Sequence, residues 1–108
     1  MAFDSELSAR LEIALKNQPV VKKKMFGGVA FLLNGNMLVG VHGDNLIARV
    51  GPVNYEACLL RPHTKPFDMT GRPMSGWVEV LPDGLENDHT VFEWTSLCLE
   101  YNKVLPPK

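Results

Sequence analysis

Cysteine and histidine are scarce in this sequence. Its two cysteines, Cys58 and Cys98, are far apart, and His42, His63 and His89 stand singly. No CxxC and no HExxH spacing occurs, so neither a disulfide scaffold nor a zinc knuckle is expected, and no metal or other cofactor is. An excess of charge is missing too: 11 Lys+Arg stand against 12 Asp+Glu, a formal net charge of −1. That balance gives no global pull towards nucleic acid or a membrane surface. No apolar run approaches the ~20 residues of a membrane-crossing helix. The opening MAFDSELSAR has no basic flank leading into an apolar core, so it does not read as a secretory signal. A cytoplasmic protein with reduced thiols and no membrane association is the expectation.

What is present is the composition of an ordinary soluble protein, with 45% apolar and 21% charged residues. A chain of 108 residues fits one domain, expected over 1–108, that buries roughly 60–70% of its unfolded surface and folds without staples.

Asp4 or Ser5 can cap a first helix, and Glu6 suits its positive end. Leu7, Leu11, Ala14 and Leu15 then recur at helical spacing until Pro19, because a residue before proline is driven out of the α region. Residues 22 to 50 read as three strands: Lys24 to Leu33, Met37 to Val41, and Leu46 to Val50. Asn34-Gly35-Asn36 supplies the positive-φ positions of a tight hairpin, and His42-Gly43-Asp44-Asn45 turns again. Such short connections join antiparallel neighbours, so the three form a meander. Gly51-Pro52 stops the sheet and opens a short helix over Val53 to Leu60.

From Arg61 the texture changes to RPHTKPFDMTGRPMSG, with three prolines and two glycines. It reads as an irregular or edge segment with a short strand at Lys65 to Met69. Trp77 to Leu81 alternates as a strand, Pro82-Asp83-Gly84 turns out of it, and Asp88 caps a last helix to about Lys103. On that helix Val91, Trp94, Cys98, Tyr101 and Leu105 fall near one line, with Phe92, Leu97 and Val104 widening the apolar stripe. The expected fold class is α+β: an antiparallel five-stranded sheet with helices packed on it, in the order α-β-β-β-α-β-β-α.

The glycine pair in KKMFGGVAF raises the question of a phosphate loop. A dinucleotide loop needs GxGxxG between strand and helix, and a Walker loop needs GxxxxGK followed by Ser or Thr. Neither occurs, and the strand texture after Gly28 leaves no helix N-terminus to receive a phosphate. The pair reads instead as a bulge, or as a place where a helix or another backbone comes close. Both faces of this strand are apolar, so both are expected to be covered at least in part. Gly28 and Ala30 would leave a shallow groove for a helix or a second subunit, which makes a homodimer one of the expected partnerships.

Two further groups carry chemistry. Lys22, Lys23 and Lys24 could track a phosphate backbone, although a lysine run entering a strand also serves as a solvated edge that discourages sheet-to-sheet pairing. Arg61, His63, Lys65, Asp68, Arg72 and Trp77 could line a pocket for an anionic ligand or an acidic partner segment. An enzyme would use His63 and Asp68 as an acid–base pair, yet no serine or cysteine is placed to be activated. Cys58 and Cys98 lie in apolar helical stretches, where a thiol serves as a small hydrophobe.

Taken in order, MFGGVAF, NGNMLVGV, NLIARVGP, RPHTKPFDMTGRPMSGWVEV and CLEYNKVLPPK resemble the N-terminal domain of the TfoX/Sxy family of bacterial proteins. The resemblance implies a compact α+β domain with an antiparallel sheet. The family's named regulators promote natural competence by assisting a catabolite-type transcription activator. They continue into a second, helical domain where this sequence reads LPPK, so their activity does not carry over with the resemblance, and the family offers no catalytic residues to transfer. The expectation is a non-enzymatic module that binds an unidentified protein partner through Phe26, Arg49, Arg61, His63, Lys65, Arg72 and Trp77, an aromatic anchor ringed by arginines. The alternatives are a small anionic-ligand-binding protein or enzyme using the 61–77 loop, and direct nucleic-acid binding.

Overall fold

The computed structural model describes residues 5–25, 28–68 and 73–107. Along them run α1 (Ser5–Ala14), β1 (Val21–Met25), β2 (Gly28–Leu33), β3 (Asn36–His42), β4 (Asn45–Arg49), α2 (Pro52–Leu59), β5 (Thr64–Asp68), β6 (Pro73–Val80), a 3-10 turn at Pro82–Gly84, and α3 (Asp88–Asn102). The α+β class stands, but the described residues form six strands rather than five, in the order β1-β2-β3-β4-β6-β5. All neighbours are antiparallel. The stretch from Lys24 to Leu33 is two strands, with Met25 opposite Gly28. The boundary is a change of texture. Val21 to Lys24 are exposed, as suits an edge, whereas Gly28 to Phe31 are buried.

Two hairpins form where the turn chemistry places them. Leu33 faces Asn36 across Asn34 (φ 55°) and Gly35 (φ 81°), the double positive φ of the turn whose twist matches paired strands. His42 faces Asn45, with Gly43 at φ 60° between them. Gly28 is the close approach expected of the glycine pair: a Cβ there would collide with the carbonyl oxygen of Val41.

Register sorts the sheet into two sides. The rows Val29–Val41–Leu46–Val80 and Phe31–Val39–Ala48–Val78 run across four strands. They meet Leu7 and Leu11 of α1 with Leu15 just past its end, Cys58 of α2, and Val91, Trp94 and Cys98 of α3 in one core. The other side carries the row Lys23–Ala30–Gly40–Ile47–Glu79–Lys65. Ala30 and Ile47 are both fully buried there, so β2 is covered on both faces within one chain. Gly28 and Ala30 are buried within the chain, so the groove expected there is not open.

The last helix differs from expectation in two details. Its cap is Asn87, not Asp88: Asn87 is extended (φ −116°, ψ 154°), and its Oδ1 accepts from the Thr90 backbone N–H at 2.9 Å. Asp88, already helical, accepts instead from Arg10 Nε at 3.0 Å. The buried stripe is also narrower, because Phe92 and Val104 point outward. Asn36 Nδ2 donates to the Pro106 carbonyl at 2.9 Å and Asn102 Nδ2 to the Leu33 carbonyl at 3.3 Å, which ties the chain after α3 to the β2–β3 hairpin. Among the described residues no helix is long and apolar enough to cross a membrane.

Candidate functional site

Two glycines build the most distinctive surface feature. At the end of β4 the backbone N–H groups of Val50 and Gly51 both donate to the Gly76 carbonyl, at 2.9 and 3.1 Å. Gly51 (φ 88°) and Gly76 (φ 91°) hold conformations that other residues rarely adopt. A side chain on Gly51 would strike the Tyr101 ring. This joint draws α3 against the strand ends. Arg49 and Trp77 are paired across β4 and β6, and Tyr101 closes in from α3. The Arg49 guanidinium stands 5.0 Å from the Trp77 ring centroid and 5.7 Å from that of Tyr101. All three side chains are half-buried, and each such cation–ring contact is worth about 0.5–2 kcal/mol according to its desolvation.

The aromatic line continues over the side of the sheet away from the helical core, helix-free among the described residues. Phe67 is buried, with its ring 6.3 Å from Trp77 and 6.4 Å from His42. A break in the β5–β6 register between Pro66 and Asp68 accompanies this placement. Beneath it, the buried Glu79 carboxylate accepts from Asn45 Nδ2 at 2.6 Å and lies 4.0 Å from Lys65 Nζ. Lys65 thus joins Trp77 on this side but is held by Glu79.

Arg61 and His63 belong elsewhere. The Arg61 guanidinium stacks 4.5 Å from the ring of Trp94, a core residue on the helix-covered side, and reaches Glu93 at 3.5 Å. Thr64 Oγ1 donates to the Arg61 carbonyl at 2.8 Å, and the His63 carbonyl accepts from the Leu81 N–H at 2.8 Å. His63 itself is held at φ 62°. A cleft of about 310 Å³ opens beside them, lined by Arg61, His63, Asp83, Glu86, Asn87 and Thr90 among others. His63 immediately precedes β5 and Asp68 ends it, roughly 17 Å apart along an extended strand, too far for a shared proton.

The expected constellation therefore divides. Arg49, Trp77 and Lys65 share the helix-free side, Arg61 and His63 face the other, and Phe26 and Arg72 lie outside the described residues. Cys58 and Cys98 are buried core residues. Burial pushes both thiols up, far up for Cys98, while the Arg61 charge partly opposes the shift at Cys58. Tyr101 was expected in the core and Phe67 in no role. The available signal was a glycine close to each partner, in Arg49-Val50-Gly51 and Gly76-Trp77.

Residues 13–101 match the family model described as the TfoX N-terminal domain. No curated protein and no solved structure matches the chain.

Proposed function

Because this chain belongs to the TfoX N-terminal domain family, we propose that it is a non-enzymatic protein-interaction module of the regulatory type, serving bacterial transcription or competence. The observation that carries this reading is the Arg49 guanidinium held between Trp77 and Tyr101. Tryptophan, tyrosine and arginine are the residues that dominate binding hot spots, and a pre-stacked set loses little side-chain freedom on docking. The partner class suggested by the family is a catabolite-type transcription activator.

The test is a titration of the purified activator, followed by fluorescence anisotropy, with wild type and with the Arg49→Ala, Trp77→Ala double variant. Loss of one hot spot costs about 2 kcal/mol or more, roughly thirtyfold in affinity. Binding that is unchanged in a folded double variant removes this surface; a wild type that does not bind removes the activator as partner. A small anion in the Arg61–His63 cleft is the weaker reading, since Asp83 and Glu86 line the same space. Direct nucleic-acid binding through Lys22 to Lys24 would show itself by steep weakening with salt.

A further inference from the structure

We infer that the outer edge of β1 is a docking site for an acidic, extended segment of another protein, which joins the sheet as an additional strand. Among the described residues β1 ends the sheet, with β2 as its one neighbour. Its five residues pair with β2 in unbroken register, so alternate residues turn their N–H and C=O groups outward in a regular ladder. Lys22 and Lys24 lie opposite Phe31 and Val29 on the helix-covered side, and Lys23 lies opposite Ala30 on the other. All three are exposed. Lys22 is engaged in part, 3.4 Å from Glu12 and 6.0 Å from the Phe31 ring centroid. Among the described residues Lys23 and Lys24 have no ion-pair partner.

The opposite edge shows what a closed edge looks like in this fold. β5 carries Pro66, which has no N–H to offer, and its register breaks between Pro66 and Asp68. Proline and irregular pairing are the usual ways of blocking strand addition. β1 has neither. What it has is charge of one sign on both faces, and charge discriminates where proline only forbids. A second copy of β1 would set lysine against lysine, whereas carboxylates on successive residues of an incoming strand would meet Lys23 on one face and Lys22 and Lys24 on the other. Backbone bonds would supply the affinity and the lysines the choice of partner, as in other strand-addition interfaces. This surface lies across the sheet from β6 and stands independently of the Arg49–Trp77 reading.

The probe is a fluorescein-labelled nonapeptide with the core Val-Glu-Glu-Glu-Val, beside its lysine counterpart and a single-stranded oligonucleotide of similar charge. Anisotropy at low salt should show binding of the glutamate peptide alone among the two peptides, weakened about tenfold or more in the Lys23→Glu, Lys24→Glu variant. Amide hydrogen exchange should slow at alternate residues of β1 when that peptide is bound. Binding without that protection, or matched by the oligonucleotide, would reduce the lysines to a diffuse cationic patch and overturn the proposal. So would a wild type that ignores the peptide while the Lys22→Thr, Lys23→Thr, Lys24→Thr variant self-associates, because the lysines would then serve only to guard the edge.

Discussion

Replacing Gly28 by alanine sets two physical expectations of opposite sign against each other. Gly28 lies outside the left-handed φ region, so by chain entropy alone Gly28→Ala would stabilise the fold by about 0.4–1 kcal/mol. The geometry says otherwise. The new methyl group would overlap the Val41 carbonyl oxygen, a backbone atom that cannot rotate aside as a side-chain tip can. Either β2 and β3 part locally or the strand tilts. Overpacking of this kind costs about 1–3 kcal/mol, and a carbonyl left without its donor in a buried ladder costs about 1–3 kcal/mol more. Set against the entropic gain, the expected net loss is about 1–5.5 kcal/mol. Urea denaturation followed by circular dichroism would read it directly, and the thermal midpoint would fall by about 4–8 °C for each kcal/mol lost. An alanine variant as stable as wild type would mean that Gly28 is not a packing constraint, and the close approach of the two backbones would lose its explanatory role.

Two other outcomes follow from the same structure. Asn87→Ala removes the acceptor of the Thr90 N–H and should cost about 1 kcal/mol in urea denaturation, while Asn87→Asp retains most of it. Stability should also fall at alkaline pH. The unfolded thiols ionise near their ordinary value of 9.0, whereas burial keeps Cys98, and to a lesser degree Cys58, protonated in the folded chain. The stabilisation from these raised values is complete below the unfolded value and is lost progressively above it, by about 1.4 kcal/mol per pH unit from Cys98 alone. Urea midpoints measured from about pH 8 to 10 should therefore slope less in Cys98→Ala than in wild type, and equal slopes would contradict the assigned shift.

Much of the architecture is legible in the sequence because it rests on local rules. Leu7, Leu11 and Leu15 repeat at helical spacing and form one buried stripe along α1 and its C-terminal turn; Asn34-Gly35 has one economical turn and adopts it. The split of Lys24 to Leu33 into two strands was less legible, because both halves have strand-like residues and only burial separates them. The site was legible residue by residue but not as an arrangement. Arg61 and Trp77 lie in one irregular segment of sequence, yet β5 runs between them and the register of β6 sets Trp77 on the side away from Arg61. The partners of Arg49 come from β6 and α3, and no local pattern announces a contact across that distance. Tyr101 occupies a position that helical periodicity assigns to the core, and it is half-buried against Arg49 instead.

The chain has two tryptophans, and the sheet separates them. Trp94 is buried beneath Arg61 among the helices, and Trp77 is half-buried beside Arg49 on the helix-free side. Each side of the sheet thus contains its own optical reporter, with an arginine already in contact. Excitation of a Trp94→Phe variant would isolate the Arg49 stack, and a Trp77→Phe variant would isolate the helical core. Whether the two emissions change at the same urea concentration would reveal if the layers on the two sides of the sheet come apart as one cooperative unit or in succession.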